Sequence, residues 1–325
     1  MGYITRRVAY GLCTLLAVSI LSFSFLELAP GDFVDEMRVD PTVAPETIEA
    51  LRRQYGLTDS LPVRYVRWLR AAVHGDFGYS FAYHTPVSSL VWERSRNTLL
   101  LTVPALAIGW AIALPIGIWA AARVGGWTDR ASNAGTSVLL AVPDVLLALL
   151  FLLLALRTGW FPTGGMASAG AADLDLFGRV KDAAAHAFLP LAALVASTLP
   201  LILRHVRASL IEAVQAPAVQ AARGHGIPAV RLLYRYALPM AANPLVSLAG
   251  VSVASLLSAS LLIEVVMSWP GLGPLLLDAI MARDLYLIVA ASLFSTLFLV
   301  CGNLAADVAL FAVDPRIRPG QGAHA

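Results

Sequence analysis

Lysine is almost missing from this 325-residue chain: Lys181 is the only one, preceded by Val180 and followed by Asp182. A G-x-x-x-x-G-K-[ST] phosphate loop is therefore impossible, and the polypeptide is not expected to hold ATP in that way. Cysteine is limited to Cys13 and Cys301. Both fall inside apolar runs, too few for a disulfide framework or a ligand cluster, and they read as buried small apolar residues. His74, His84, His186, His205, His225 and His324 are scattered over separate segments. With no H-E-x-x-H, no paired C-x-x-C and no G-x-S-x-G, neither metal nor nucleophile catalysis is expected. Charge is scarce too, at 14% of residues with a net of +2. That is too little for nucleic acid, and no basic stretch alternates with aromatics as in a single-strand binder. No internal repeat is visible, and the only biased tracts are Gly164 to Ala172 and the polar tail Arg316 to Ala325. A secondary transporter built from inverted repeats loses support accordingly.

What is abundant is hydrocarbon. Residues of the hydrophobic set make up 58% of the chain and the mean hydropathy is +0.73, values that belong to an integral membrane protein. Six runs are long enough to cross roughly 30 Å of hydrocarbon, which takes about 20 helical residues. They are Val8 to Leu28, Thr98 to Ala122, Ala134 to Leu156, Ala187 to Leu203, Met240 to Ile263 and Leu285 to Val313. The chain is expected to be all-α, with six transmembrane helices. Arg6 and Arg7 precede the first run, but its length and the lack of an A-x-A site point to a retained helix rather than a secretory or twin-arginine signal.

Arginine in short connections stays cytoplasmic. Arg6 and Arg7, Arg123 and Arg130, the set Arg204, Arg207, Arg223, Arg231 and Arg235, and Arg316 and Arg318 alternate in register with that rule, so both termini are expected in the cytoplasm. The segment 29–97 is long enough to escape it and is placed outside. The domain order is then an N-terminal helix (1–28), an external loop domain (29–97), a five-helix core (98–313) with a cytoplasmic loop (204–239), and a cytoplasmic tail (314–325). Within the outer segment one helix is expected from Pro45 to a stop at Gly56. A second, Pro62 to Val73, sets Val63, Val66, Leu69 and Val73 against Arg64, Arg67 and Arg70, which suits a membrane surface, a partner, or packing on the chain's own spans.

The polar interruption from Arg204 to Pro239 is the largest island of charge in the second half of the chain. Ala216, Ala218, Ala221, Ala222, Gly224 and Gly226 predict a short helix with little side-chain bulk, stopped at Gly226 and Pro228. A helix that slim can sit deep in a groove. The motif Gln220-Ala221-Ala222, then Gly226, then Leu238-Pro239, resembles the EAA loop of ABC importer permeases, with Gln220 standing where the name-giving Glu would be. Other runs extend the likeness to the oligopeptide, dipeptide and nickel permease family. These are Leu28 to Asp32, Tyr55-Gly56-Leu57, Gly75-Asp76-Phe77-Gly78, Pro115-Ile116-Gly117, Gly159-Trp160-Phe161-Pro162, Pro270-Gly271-Leu272-Gly273 and Asp314 to Arg318. Each is weak alone; in order, they span the chain from residue 28 to 318.

The resemblance implies a type I ABC importer permease in a bacterial inner membrane, importing di- or oligopeptides, or else nickel chelates or another small solute. It implies a second homologous permease subunit, two ATPase subunits that use ATP and Mg2+, and an extracytoplasmic substrate-binding protein, with no cofactor bound by this chain. Gln220, Ala221, Ala222, Arg223, Gly226, Leu238 and Pro239 become the ATPase-coupling residues. Pathway or gate candidates are Asp144, Glu264, Arg283, Asp284, Asn303 and Asp307. Asp144 follows Pro143, and either faces the cavity or caps backbone freed by a proline kink. Asn303 and Asp307 share a helical face and suit an inter-helix clasp. Glu264, Arg283 and Asp284 flank the break at Pro270 to Gly273, as an outer gate or a local salt bridge. A stand-alone channel, a proton-coupled carrier and a scaffold subunit are the rival classes.

Overall fold

The computed structural model describes residues 2–28, 46, 49 and 59–313. Apart from Glu46 and Glu49, the helix expected from Pro45, the runs Ala29 to Asp32 and Tyr55 to Leu57, the closing Asp314 to Arg318 and the polar tail lie outside the described residues. The helices are α1 (Gly2–Leu28), α2 (Leu61–Val73), α3 (Val87–Ala122), α4 (Trp127–Ala141), α5 (Asp144–Thr158), α6 (Leu176–Gln215), α7 (Pro217–Gly224), α8 (Ala229–Leu232), α9 (Leu238–Val266), α10 (Leu272–Met281) and α11 (Leu285–Val313). The departures from α-helix among the described residues are a 3-10 turn (Ala171–Asp173), a π-helical turn (Leu233–Ala237) and an antiparallel ribbon of two short strands, β1 (Tyr79–Ser80) and β2 (Thr85–Pro86).

Five stretches are continuous helices long and apolar enough to cross a membrane: α1, α3, α6, α8 through α9, and α11. The sixth expected span, Ala134 to Leu156, is not straight. Helices α4 and α5 meet there at 96°. Val142 precedes Pro143 and takes an extended conformation (φ −98°, ψ 120°), as steric conflict with a proline ring favours. Asp144 then starts a new helix. By contrast, Pro104 and Pro115 lie inside α3, and Pro190 and Pro200 inside α6, without ending them. Helix α6 also runs on through Arg204 to Gln215, so the first third of the polar interruption continues a span rather than looping away from it.

The described chain forms two compact units. One comprises residues 2–8, 99–269 and 299–313; the other comprises residues 9–28, 46, 49, 59–98 and 270–298. In the first, α6 packs on α4, α5 and α9. One cluster gathers Ile202, Val206, Leu210, Leu233 and Ala237; another gathers Leu101, Leu189, Leu194, Leu256 and Ile263. Lipid tails are as apolar as leucine, so these contacts stabilise by close packing more than by escape from water. Glycines set the closest approaches. A Cβ on Gly302 of α11 would lie 2.5 Å from Val253 Cγ1 on α9, and one on Gly250 would meet Asn303 Oδ1 at 3.0 Å. Gly302→Val is expected to cost about 1–3 kcal/mol by overpacking. Gly135→Ala, with nothing within 4 Å of its added carbon, is expected to cost nothing. Unfolding of the two purified variants in detergent checks the contrast; equal midpoints would remove glycine packing from the crossing.

In the second unit, Tyr65 and Trp68 of α2 meet Phe23 of α1 at ring separations of 5.6 and 5.7 Å. Ser19 and Tyr65 share a 2.8 Å hydrogen bond. Helix α2 packs on the chain's own spans, but not by its valines, whose face suits only the surface or partner reading: Trp68 and Arg64 are buried, whereas Val63, Val66 and Val73 are exposed. Large aromatic area outweighs three valines, and the apolar stem of an arginine can be buried with it. Cys13 and Cys301 are likewise exposed, not buried. In a membrane chain an apolar side chain has no need of the interior, because lipid accepts it equally well.

Candidate functional site

Two prolines frame the slim helix. Ala216 precedes Pro217 and is extended (φ −60°, ψ 140°), which ends α6 and starts α7 with proline in its first turn, a position where the missing N–H costs nothing. At the other end Gly226 takes φ +76°, the left-handed region that glycine enters without strain. Val219 and Ala222 turn inward and pack with Leu232, Ala216 and Ile227. Ala218, Gln220, Ala221, Arg223 and Gly224 are exposed. Of the residues expected to form the coupling surface, Ala222 therefore lies on the inner face that seats α7, and Ala221 on the outer.

Gln220 is held too. Its Nε2 donates to the Val214 carbonyl, 2.7 Å away in the last turn of α6. A glutamate has no N–H to give, and its charge would face the negative end of a helix dipole. Gln220→Glu is expected to loosen α7 by about 1 kcal/mol, seen as faster backbone hydrogen exchange over residues 217–224. Unchanged exchange would show that the bond does not seat the helix.

Downstream, Leu233–Ala237 widens into a π-helical turn before α9. A proline ring conflicts with the carbonyl four residues earlier, which for Pro239 is that of Arg235. The wider turn around Arg235 relieves that conflict without breaking the helix. Leu238 is half-buried against the first core cluster, whereas Pro239 is exposed. The end of the motif thus belongs to the base of a span, not to α7.

The pair that anchors this region was not anticipated. Asp129, in the first turn of α4, is 4% exposed. It receives Arg207 Nη2 at 3.0 Å, a shorter bond from Arg207 Nε, the Gly125 amide at 2.8 Å and Asn133 Nδ2 at 3.3 Å. The fork ties α4 to α6 two turns before α6 ends at α7. As sequence, Asp129 was one acid beside Arg130 in an arginine-bearing turn; a carboxylate in the first turn of a helix was its only signal.

The pathway candidates separate. Asp144 Oδ1 accepts from Ser197 Oγ at 2.6 Å, a tie from α5 to α6 at the 96° corner, and its side chain does not cap the helix. Asp307 pairs with Arg7 Nε at 3.1 Å, a clasp between α11 and α1. Asn303 packs beside Gly250 and is exposed. Glu264 is fully buried in the last turn of α9, where its carbonyl accepts from the Trp269 amide. Arg283 is exposed and left-handed at φ +51°.

Asp284 organises the second unit. Fully buried, it accepts from Ser80 Oγ at 2.7 Å, from the Ala82 amide at 3.2 Å and from the Leu287 amide at 3.3 Å. One carboxylate caps α11 and holds the ribbon. Beside it Tyr83 donates to Asp278 at 2.7 Å. Burial, and then that hydrogen bond, push the phenol up to about 12, so it stays a donor throughout the neutral range. The break at Pro270 to Gly273 is present, pinned by Asn97 Nδ2 on the Pro270 carbonyl and by the Leu272 amide on Thr98 Oγ1.

Residues 113–319 match the model of the binding-protein-dependent transport system inner membrane component, and residues 1–102 match its N-terminal counterpart. The chain is 33% identical over 318 residues to the oligopeptide transport system permease AppB of Bacillus subtilis, covering 97% of this chain and 99% of that one. It is 35% identical over 322 residues to a putative peptide permease of Brucella ovis (98% and 99% covered). It is 30% identical over 319 residues to the glutathione transport system permease GsiC of Escherichia coli K12 (98% and 99%). A chain of the MetNI methionine ABC transporter, in an inward-facing form, superposes with a TM-score of 0.54 at 17% identity, over 69% of this chain and 96% of that one. On the family models, the near full-length relatives and the shared helical fold, this chain belongs to the binding-protein-dependent transport system inner membrane components, the multi-pass inner-membrane permeases of ABC importers that work with ATPase and substrate-binding partners.

Proposed function

We propose that α7 is the coupling helix of a peptide importer, and that this chain moves substrate without catalysing a reaction itself. The observation that carries the reading is the helix's two-sidedness. Val219 and Ala222 fasten it to the chain, while the exposed side carries the small residues Ala218, Ala221 and Gly224, with Gln220 folded back onto Val214 and Arg223 at its margin. Such a face admits close approach of a partner, and α7 connects α6 to the base of α9. Rotation of the partner would then be transmitted to two spans at once, biasing inward and outward arrangements. On this reading the arginine-bearing connections and both termini are cytoplasmic, two ATPase subunits supply ATP and Mg2+ chemistry, and a second permease subunit completes the pathway. Substrate arrives from an extracytoplasmic binding protein.

Relatives named for oligopeptide, peptide and glutathione transport favour di- and oligopeptides over nickel chelates. The test is copurification with an ATPase partner and uptake in reconstituted vesicles bearing the binding protein. Peptides should compete for uptake, nickel chelates should not, and disabling the partner's ATP site should abolish it. Uptake that persists without ATP would make the chain a channel or a secondary carrier.

A further inference from the structure

The described chain holds a cavity of about 550 Å³ between the α3–α4 turn and the α8 region. Ile118, Trp119 and Leu233 give it apolar walls, while Arg123, Thr128 and Tyr234 bring polar groups to it. Its position is set by the sequence: Ala122 ends the apolar helix α3, and Arg123 follows at once. A helix crossing a bilayer in this way would set the apolar wall at the depth of acyl chains and the arginine at the depth of headgroups. Trp119 and Tyr234 are 63% and 52% exposed, at the level where membrane proteins carry amphipathic aromatic rings.

Charge decides what fits. The nearest acid in sequence, Asp129, is taken up by Arg207, the Gly125 amide and Asn133. Among the described residues the Arg123 guanidinium and the Thr128 hydroxyl have no hydrogen-bond or ion-pair partner. A cation and a hydroxyl donor above an apolar, aromatic wall match a phosphate headgroup carrying acyl chains. We propose that this cavity is a binding site for an anionic phospholipid, the phosphate held by Arg123 and Thr128 and a chain lying along Ile118, Trp119 and Leu233. Neither the coupling role of α7 nor the identity of the transported solute enters the inference. A bound lipid would join α3 to the α8 region beside the base of α9.

The test uses the assembled importer in vesicles of dioleoyl phosphatidylglycerol and phosphatidylethanolamine, doped with phosphatidylglycerol carrying a photoactivatable acyl chain. Cross-links are expected in both segments, 118–128 and 229–234. Arg123→Gln should lower them about fivefold, as loss of one arginine near anionic lipid implies, and Arg123→Lys should restore most of the signal. The same probe built on phosphatidylcholine should label wild type several-fold less, a comparison that needs no variant. An excess of soluble glycerol phosphate should leave the labelling unchanged. Equal labelling by both lipids, insensitivity to Arg123→Gln, competition by glycerol phosphate, or cross-links only to a protein subunit over the cavity would each overturn the proposal.

Discussion

Gly226→Trp is expected to leave membrane insertion and the fold of the spans intact while abolishing ATP-dependent uptake. Gly226 has φ +76°, and a carbon added to it meets nothing within 4 Å. Two costs can therefore be separated. Any side chain at this φ brings a local strain of about 1–2 kcal/mol, which Gly226→Ala and Gly226→Trp share. Only tryptophan adds bulk, and its first carbon enters open space rather than the chain's own core. If α7 docks into a groove of an ATPase partner, alanine should reduce uptake modestly and tryptophan should reduce it to the background seen without ATP. The readouts are uptake by reconstituted vesicles and copurification of the ATPase. Normal uptake by a correctly assembled Gly226→Trp complex would sink the assignment of α7 as the coupling element.

The largest expected loss of stability follows Asp129→Ala. Removing one partner of a buried ion pair leaves the other uncompensated, and such deletions cost about 3–5 kcal/mol. Arg207 keeps 23% of its side chain exposed, so the lower end of that range is expected, with residual hydration of the guanidinium offsetting the rest. The Gly125 amide loses its acceptor as well, loosening the turn between α3 and α4. Asp129→Asn should cost less, since its carbonyl oxygen can still accept. A cycle combining Asp129→Asn with Arg207→Gln, read by reversible detergent denaturation, should return a coupling above about 1 kcal/mol. Strict additivity would show that the fork contributes nothing to folding.

Both expectations concern the same few turns, yet only one of them was legible in the chain. Gly226 announces itself locally: a glycine after a run of alanines and before Pro228 is a helix stop. Asp129 becomes visible only when Arg207, 78 positions away, is brought to it. The same division runs through the other candidates. The interruption at Pro270 to Gly273 is a backbone property, and it is present as expected. Asp307 does form a clasp, but with Arg7, a residue read from sequence as a topology signal. Asp144 neither caps its helix nor stands alone, because Ser197 supplies a donor that no local pattern identifies. On α2 the helix was readable and its buried face was not, since Phe23 and Ser19 choose the aromatic side.

What the sequence determined by itself is what depends on near neighbours and on solvent: the membrane class, the number and approximate position of the apolar runs, the slim helix after Pro217, and the motif spacing from Gln220 to Pro239. Hydrocarbon length, proline and glycine geometry and missing side-chain bulk act within a few residues, so a one-dimensional reading finds them. Only the tertiary structure decided that Pro143 makes a 96° corner while Pro104, Pro115, Pro190 and Pro200 stay within helices. It alone paired Asp129 with Arg207, turned Ala222 inward and Ala221 outward, and gave Gln220 a carbonyl to hold. The first of those outcomes depends on a group 78 positions away and the other two on how adjacent turns fold back on one another; in a membrane chain hydrophobicity cannot say so, because lipid and protein interior accept the same side chains.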